Sequence, residues 1–231
     1  MEPSNKLHIY EEILLLALRD KKGTMLFGIN YPQALAGALL AELLLINKIE
    51  IESSGKRKFV KLVNQKSTRN TLLDECIGKI ASAKRRARPQ NWVMRFANIS
   101  KLKHKAAQSL CRKRILKMEE DKVLLLFSRK IYPELNPVPE KKLMEKMQTA
   151  IFGNSKEIDP ETVILISICN STGILRQIFD KSKLKERKSR IKDITTGNLI
   201  GQATKDAIEA MQAAIMIATI IPAVTVTTIS S

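Results

Sequence analysis

Aromatic residues are scarce in this 231-residue chain: they make up 4% of it, with a single tryptophan. That scarcity excludes a recognition module that stacks successive bases on a row of rings. Cysteine is equally sparse. Cys76, Cys111 and Cys169 are odd in number and widely spaced, lack a CxxC pair, and have only His8 and His104 to join them around a metal. The pattern predicts reduced structural thiols in a cytosolic protein and no metal site. Catalytic signatures are missing as well. No GxSxG, HExxH, GxGxxG or GxxxxGKS/T arrangement occurs, and the paired acids Glu11/Glu12 and Asp74/Glu75 are adjacent rather than spaced to share a helical face. The expectation is a protein without catalytic residues or cofactor.

Acidic residues are absent over one long interval. Between Glu75 and Glu119 there is no Asp or Glu, whereas thirteen Lys and Arg residues occur there. The whole chain carries a formal charge of +17, which implies attraction to polyanions but does not choose among nucleic acid, anionic lipid and an acidic partner. At 44% hydrophobic and 27% charged, the chain should fold, and its length suits one domain over residues 1–231. Glu11 and Glu12 interrupt the early apolar pattern, so a secretory signal is not expected. After Glu209 no charged residue follows. This tail approaches the length of a membrane span, but its small residues and Pro222 favour a buried terminal helix over a membrane-inserted one.

The pattern predicts a mainly α, compact multi-helix fold with one or two small β-hairpins. LHIYEEILLLALRDKKG reads as a buried helix that Gly23 can end, and PQALAGALLAELLLINK as a second with Pro32 near its start. IEIESSGKRKFVKLVNQ alternates about Ser53–Gly55 as two strands and a turn. Helix, helix and hairpin in that order resemble a winged helix-turn-helix, which keeps a nucleic-acid-binding regulator as the alternative function. NTLLDECIGKIASAKRRA reads as a third helix, and RILKMEEDKVLLLFSRKI as a second hairpin with EED at its tip. Later helices are expected in PEKKLMEKMQTAIFG, DPETVILISICNSTGILRQIF, LKERKSRIKDIT and DAIEAMQAAIMIATI.

SKLKHKAAQSLCRKR, residues 100–114, concentrates the basic charge on a helix. Helical spacing sets Lys101, Lys105, Gln108 and Arg112 on one exposed stripe beside an inward row of Leu102, Ala106 and Leu110, with Lys103 and Arg114 flanking the seam. Such a face can hold a phosphorylated headgroup by charge-assisted hydrogen bonds, Arg through a fixed fork and Lys as a mobile point charge. Arg85, Arg86, Arg88, Arg112 and Arg114 would support it against an anionic bilayer.

LHIYEEILLLALRDKKG, ALLAELLLINKIEIE, LLDECIGKI, NW and KLKHKAAQSLCRKRIL occur in an order that resembles the Golgi phosphoprotein 3 (GPP34) family, which includes the vacuolar sorting protein 74 group. The resemblance implies a mostly helical peripheral membrane adaptor that binds phosphatidylinositol 4-phosphate and cytosolic tails of membrane proteins. In a eukaryote it would work on the cytoplasmic face of the Golgi. The family's headgroup pocket uses an aromatic residue after the first helix, an arginine on the next helix and two basic residues three apart on a later one. Those positions fall here at Phe27 or Gly28, at Ala36, and at Ser100 and Lys103. Lys103 is the basic match, with Lys101 and Lys105 as neighbouring cations. Residues 115–127 resemble the family hairpin associated with self-association and membrane insertion. The acidic tip expected here suits a homo-oligomer contact better than an inserted wedge.

Overall fold

The computed structural model describes residues 6–19, 21–123 and 127–200. The helix expected for residues 206–220 therefore lies outside the described residues, as does the question of its insertion. Two helices with apolar residues on every side occupy the centre. One is α2 (Tyr31–Leu45), where eleven consecutive residues from Ala34 to Leu44 are buried, and the other is α7 (Pro160–Thr172). A helix apolar all round can satisfy its surface only by lying inside a shell of others. Accordingly α2 packs against α1 (Ile9–Ala17), against α4 (Pro89–Ala97) and against α7. Asp159 caps α7 by accepting from the Thr162 N–H at 3.0 Å, and Gly173 ends it at φ +85°. The buried hydroxyls of Ser167 and Thr172 donate back to Val163 and Ile168 carbonyls, so this central helix leaves neither unsatisfied.

Two antiparallel hairpins flank the helices. The first pairs β1 (Ile49–Ser54) with β2 (Arg57–Leu62), running from Ile49 opposite Leu62 to Ser54 opposite Arg57. The second pairs β3 (Glu119–Val123) with β4 (Phe127–Ile131), and its last pair is Val123 with Phe127. EED is thus part of strand β3, and the tip falls at residues 124–126, outside the described residues. Cross-strand charge pairing supports the ladder: Asp121 faces Arg129 and is bonded to it at 2.7 Å.

Other boundaries differ from the periodicity. α1 stops at Ala17, because Leu18 turns extended and pairs with Met25; Gly23 sits instead inside the following turn. α3 (Thr71–Ala81) ends before the arginines, since Val60 of β2 captures Ala87 as an isolated bridge and draws residues 84–88 along the first hairpin. α5 (Leu102–Arg112) starts after Lys101, which holds a left-handed conformation at φ +56°. Beyond α6 (Val138–Phe152) and the short α8 (Leu175–Ile178), the expected single charged helix is broken at Arg187 into α9 (Lys181–Glu186) and α10 (Lys188–Thr196). The Arg187 and Arg190 guanidiniums donate to the Phe152, Ala150 and Ser155 carbonyls, tying this break to the end of α6.

Candidate basic headgroup site

A cavity of about 740 Å³ opens between α5 and β4, roofed by the turn after α1. Lys101, Lys103, His104 and Gln108 come from α5 and the residue before it; Ser128, Arg129, Lys130 and Ile131 come from β4; Thr24 and Met25 come from the turn; and Tyr132 follows β4. Among the described residues no carboxylate lines it. Burial, and then the neighbouring Arg129, lower the Lys103 pKa, so these cations are close enough to resist one another. His104 is lowered by burial first and then by Lys103, Lys130 and Lys101. An anion entering the cavity would relieve both effects. The N-terminus of α5 has no side-chain cap, because Lys101 at that position is a donor only. A negative group is favoured there also by the helix dipole.

The cavity is held in shape by Gly23. Its carbonyl accepts the Tyr132 N–H at 2.9 Å, and a Cβ at this position would lie 2.2 Å from the Pro133 nitrogen, which only glycine avoids. This latch fixes the turn carrying Thr24 and Met25 over the cavity. Phe27, 84% exposed, belongs to a neighbouring depression of about 690 Å³ that shares Thr24, Met25, Arg129 and Ile131 with the first. Arg19, Lys21 and Lys22 add cations on its rim, and Asp121, bonded to Arg129, adds the lone carboxylate. A large exposed ring beside a basic cavity is the arrangement expected where a side chain enters a lipid interface.

The predicted site residues separate into groups. Lys101 and Lys103 line the cavity, and Phe27 stands next to it. Lys105 turns away to an ion pair with Glu75 of α3 and is only partly exposed, so it does not belong to the exposed stripe assigned to it. Arg85, Arg86 and Arg88 are exposed before the start of α4 and do not line the cavity. Arg86 is bound there to Glu52 at 2.9 Å and lies over the Phe59 ring at 5.2 Å. Arg112 and Arg114 are exposed at the opposite end of α5 from Lys101 and do not line the cavity, while Lys113 between them points inward to Glu11 at 2.6 Å. Acidic partners missing from the local sequence are thus supplied through space. Ala36 is fully buried within α2 and contributes nothing to the cavity surface; Ser100 is exposed but does not line it.

Sequence reasoning missed Arg129, Lys130, His104 and Tyr132. Arg129, Lys130 and Tyr132 sit at strand and loop positions that carried no helical pattern, whereas His104 lies on α5 and was weighed only as a metal ligand. Among the described residues there is no group of three His, Cys, Asp or Glu side chains placed to hold a metal ion.

The chain matches the profile of Golgi phosphoprotein 3 (GPP34) over residues 9–211. It belongs to the Golgi phosphoprotein 3 family. Over 220 residues it is 26% identical to vacuolar protein sorting-associated protein 74 of Schizosaccharomyces pombe, an alignment that takes in 81% of this chain and 64% of that relative. The chain therefore spans a little under two thirds of the relative's length. The mainly helical architecture with two small antiparallel hairpins agrees with the family assignment. Among the described residues no helix is long and apolar enough to cross a membrane.

Proposed function

We propose that this Golgi phosphoprotein 3 family member is a peripheral membrane adaptor whose cavity between α5 and β4 receives anionic phospholipid headgroups, phosphatidylinositol 4-phosphate among them. The observation that carries the reading is the convergence of Lys101, Lys103, Arg129 and Lys130 on one cavity that no carboxylate lines among the described residues, beside the exposed Phe27. Arg129 is already bonded to Asp121, so three free lysines, at about 1 kcal/mol per basic residue near an anionic surface, supply about 3 kcal/mol before any specific hydrogen bond. With Ala36 buried and Ser100 outside the cavity, selection among headgroups falls to β4 rather than to the family's α2 arginine. Docking would place the domain on a cytoplasmic membrane face, that of the Golgi in a eukaryotic cell, where it would hold cytosolic tails of membrane proteins. Residues 115–127 would serve self-association.

Sedimentation with vesicles tests the proposal. Wild-type protein should pellet with phosphoinositide-containing vesicles and stay in solution with neutral ones. The double variant Lys101→Glu/Lys103→Glu replaces two attractions by repulsions, a change of about 2–4 kcal/mol, and should weaken association at least thirtyfold. Equal pelleting with neutral vesicles, or an unaffected double variant, would refute the site.

A further inference from the structure

His104 is the one titratable group in the cavity whose charge changes near neutral pH, and it is built into the wall rather than left on the surface. Its Nδ1 is 2.7 Å from the Tyr132 hydroxyl, with ring centroids 5.7 Å apart, and Tyr132 is itself buried and fixed by the Gly23 latch. The described hydrogen bonds of His104 engage Nδ1 alone, and the residue lines the cavity. A phenol hydroxyl can donate to a neutral imidazole and accept from a protonated one. Tyr132 therefore holds the ring in the same place in both charge states. The charged groups around the ring are Lys101 and Lys103 from its own helix and Arg129 and Lys130 from β4; the turn after α1 adds only Thr24 and Met25. Among these described groups Arg129 is bonded to Asp121 of β3 at 2.7 Å, so the uncompensated charge around the ring is that of the three lysines.

We infer that His104, positioned by Tyr132, is a headgroup-contacting residue that takes up a proton as a terminal phosphoryl group enters the cavity, so that docking strengthens as the medium becomes more acidic. The inference rests on the proposed headgroup function. Burial first, and then the charges of Lys103, Lys130 and Lys101, lower the pKa of the ring in the empty cavity below the usual 6.5 and favour its neutral form. A phosphomonoester brings close to two negative charges and three acceptor oxygens. It cancels the surrounding repulsion and gives Nε2–H an acceptor, which favours the imidazolium. By linkage, whatever raises proton affinity on binding makes binding tighter as pH falls. A diester phosphate brings one charge and fewer free oxygens, so the effect is smaller for phosphatidylglycerol than for a phosphoinositide.

The test compares wild-type protein with His104→Gln, which keeps a polar side chain but cannot become charged. Binding to vesicles containing phosphatidylinositol monophosphate is measured from about pH 7.5 to about pH 5.5, with phosphatidylglycerol vesicles of matched surface charge in parallel. The ligand's own protonation affects both proteins and cancels in their affinity ratio. That ratio should rise about fivefold toward low pH on the monoester vesicles, the lower end of ordinary site–site coupling, and less on the diester ones. A flat ratio, with both proteins bound, overturns the inference while leaving the headgroup site standing. Failure of wild-type protein to distinguish anionic from neutral vesicles refutes the underlying function instead. Should His104→Gln fail to fold, the histidine ring resonances of wild-type protein carry the decision. On adding soluble inositol phosphate, the His104 titration must move to higher pH, and no movement overturns the inference. Inorganic phosphate giving the same movement, and releasing the protein from vesicles at equal phosphorus concentration, would overturn the assignment to a lipid headgroup.

Discussion

Replacing Lys113 by Met should cost far more than its place in a basic sequence run suggests. The Glu11 carboxylate is fully buried; its Oε2 accepts from Lys113 Nζ at 2.6 Å and from the His8 N–H at 2.8 Å, while Oε1 has no hydrogen-bond partner among the described residues. Lys113→Met fills a similar volume but leaves that carboxylate with one backbone donor. Stranding a buried charge in this way costs about 3–5 kcal/mol. The Lys113 side chain is 26% exposed, so water can reach the site from its end and the lower limit, about 3 kcal/mol, applies. For a chain of this size that corresponds to a fall in Tm of about 6–12 °C. Lys117→Met is the matched control. Its pair with Glu119 is just as short, 2.6 Å, but both side chains are well exposed, and less than about 1 kcal/mol should be lost. Thermal and urea melts at low and high salt distinguish the two, because a buried pair is screened much less. Equal effects of the two substitutions, or a loss below about 1 kcal/mol for Lys113→Met, would refute the view that α5 is fastened to α1 through a desolvated pair.

Gly23→Ala should destabilise by about 1–3 kcal/mol, since φ is +57° and the added Cβ would strike the Tyr132–Pro133 backbone; it should also weaken vesicle binding by deforming the roof of the cavity. Phe27→Ser should leave the melting curve within about 0.5 kcal/mol of wild type, the ring being exposed, yet reduce vesicle association. Glu12 is pushed up to about 7, by burial first and by Glu161 and Glu42 against the opposing Lys146 and Lys6. A carboxyl with a raised folded pKa favours the folded state below its unfolded value of 4.5 and loses that contribution as pH rises through about 7. Glu12→Gln should therefore match wild type in Tm near pH 4 and exceed it at pH 8; no pH dependence of the difference would show Glu12 to be solvated.

Much of the fold was legible because its central helices are apolar over long unbroken stretches. α2 and α7 could be recognised without knowing their neighbours, and Pro32, Asp159 and Pro160 marked their starts. Boundaries fixed by contacts remote in sequence were not legible. Leu18 leaves α1 to pair with Met25, and the arginines after α3 leave helix to follow β2; neither event has a local signal. The site divided in the same way. Lys101 and Lys103 were found from helical spacing, but counting charge along the chain overstated the basic surface. Glu75, Glu52 and Glu11 reach Lys105, Arg86 and Lys113 from elements outside the acid-free interval. Arg129 and Lys130 became visible only when the strand pairing placed them opposite α5.

The Gly23–Tyr132 latch has a thermodynamic consequence. It joins segments more than one hundred residues apart, and the cavity needs both of them together with the start of α5. No fragment that lacks either end of residues 23–132 carries the full lining of the cavity, and opening the latch separates its parts. Any ligand held there binds the complete fold alone, so its binding free energy adds to global stability by mass action. Detachment from a membrane would then leave the domain easier to unfold and more exposed to proteolysis, making the lifetime of the protein depend on where it is docked.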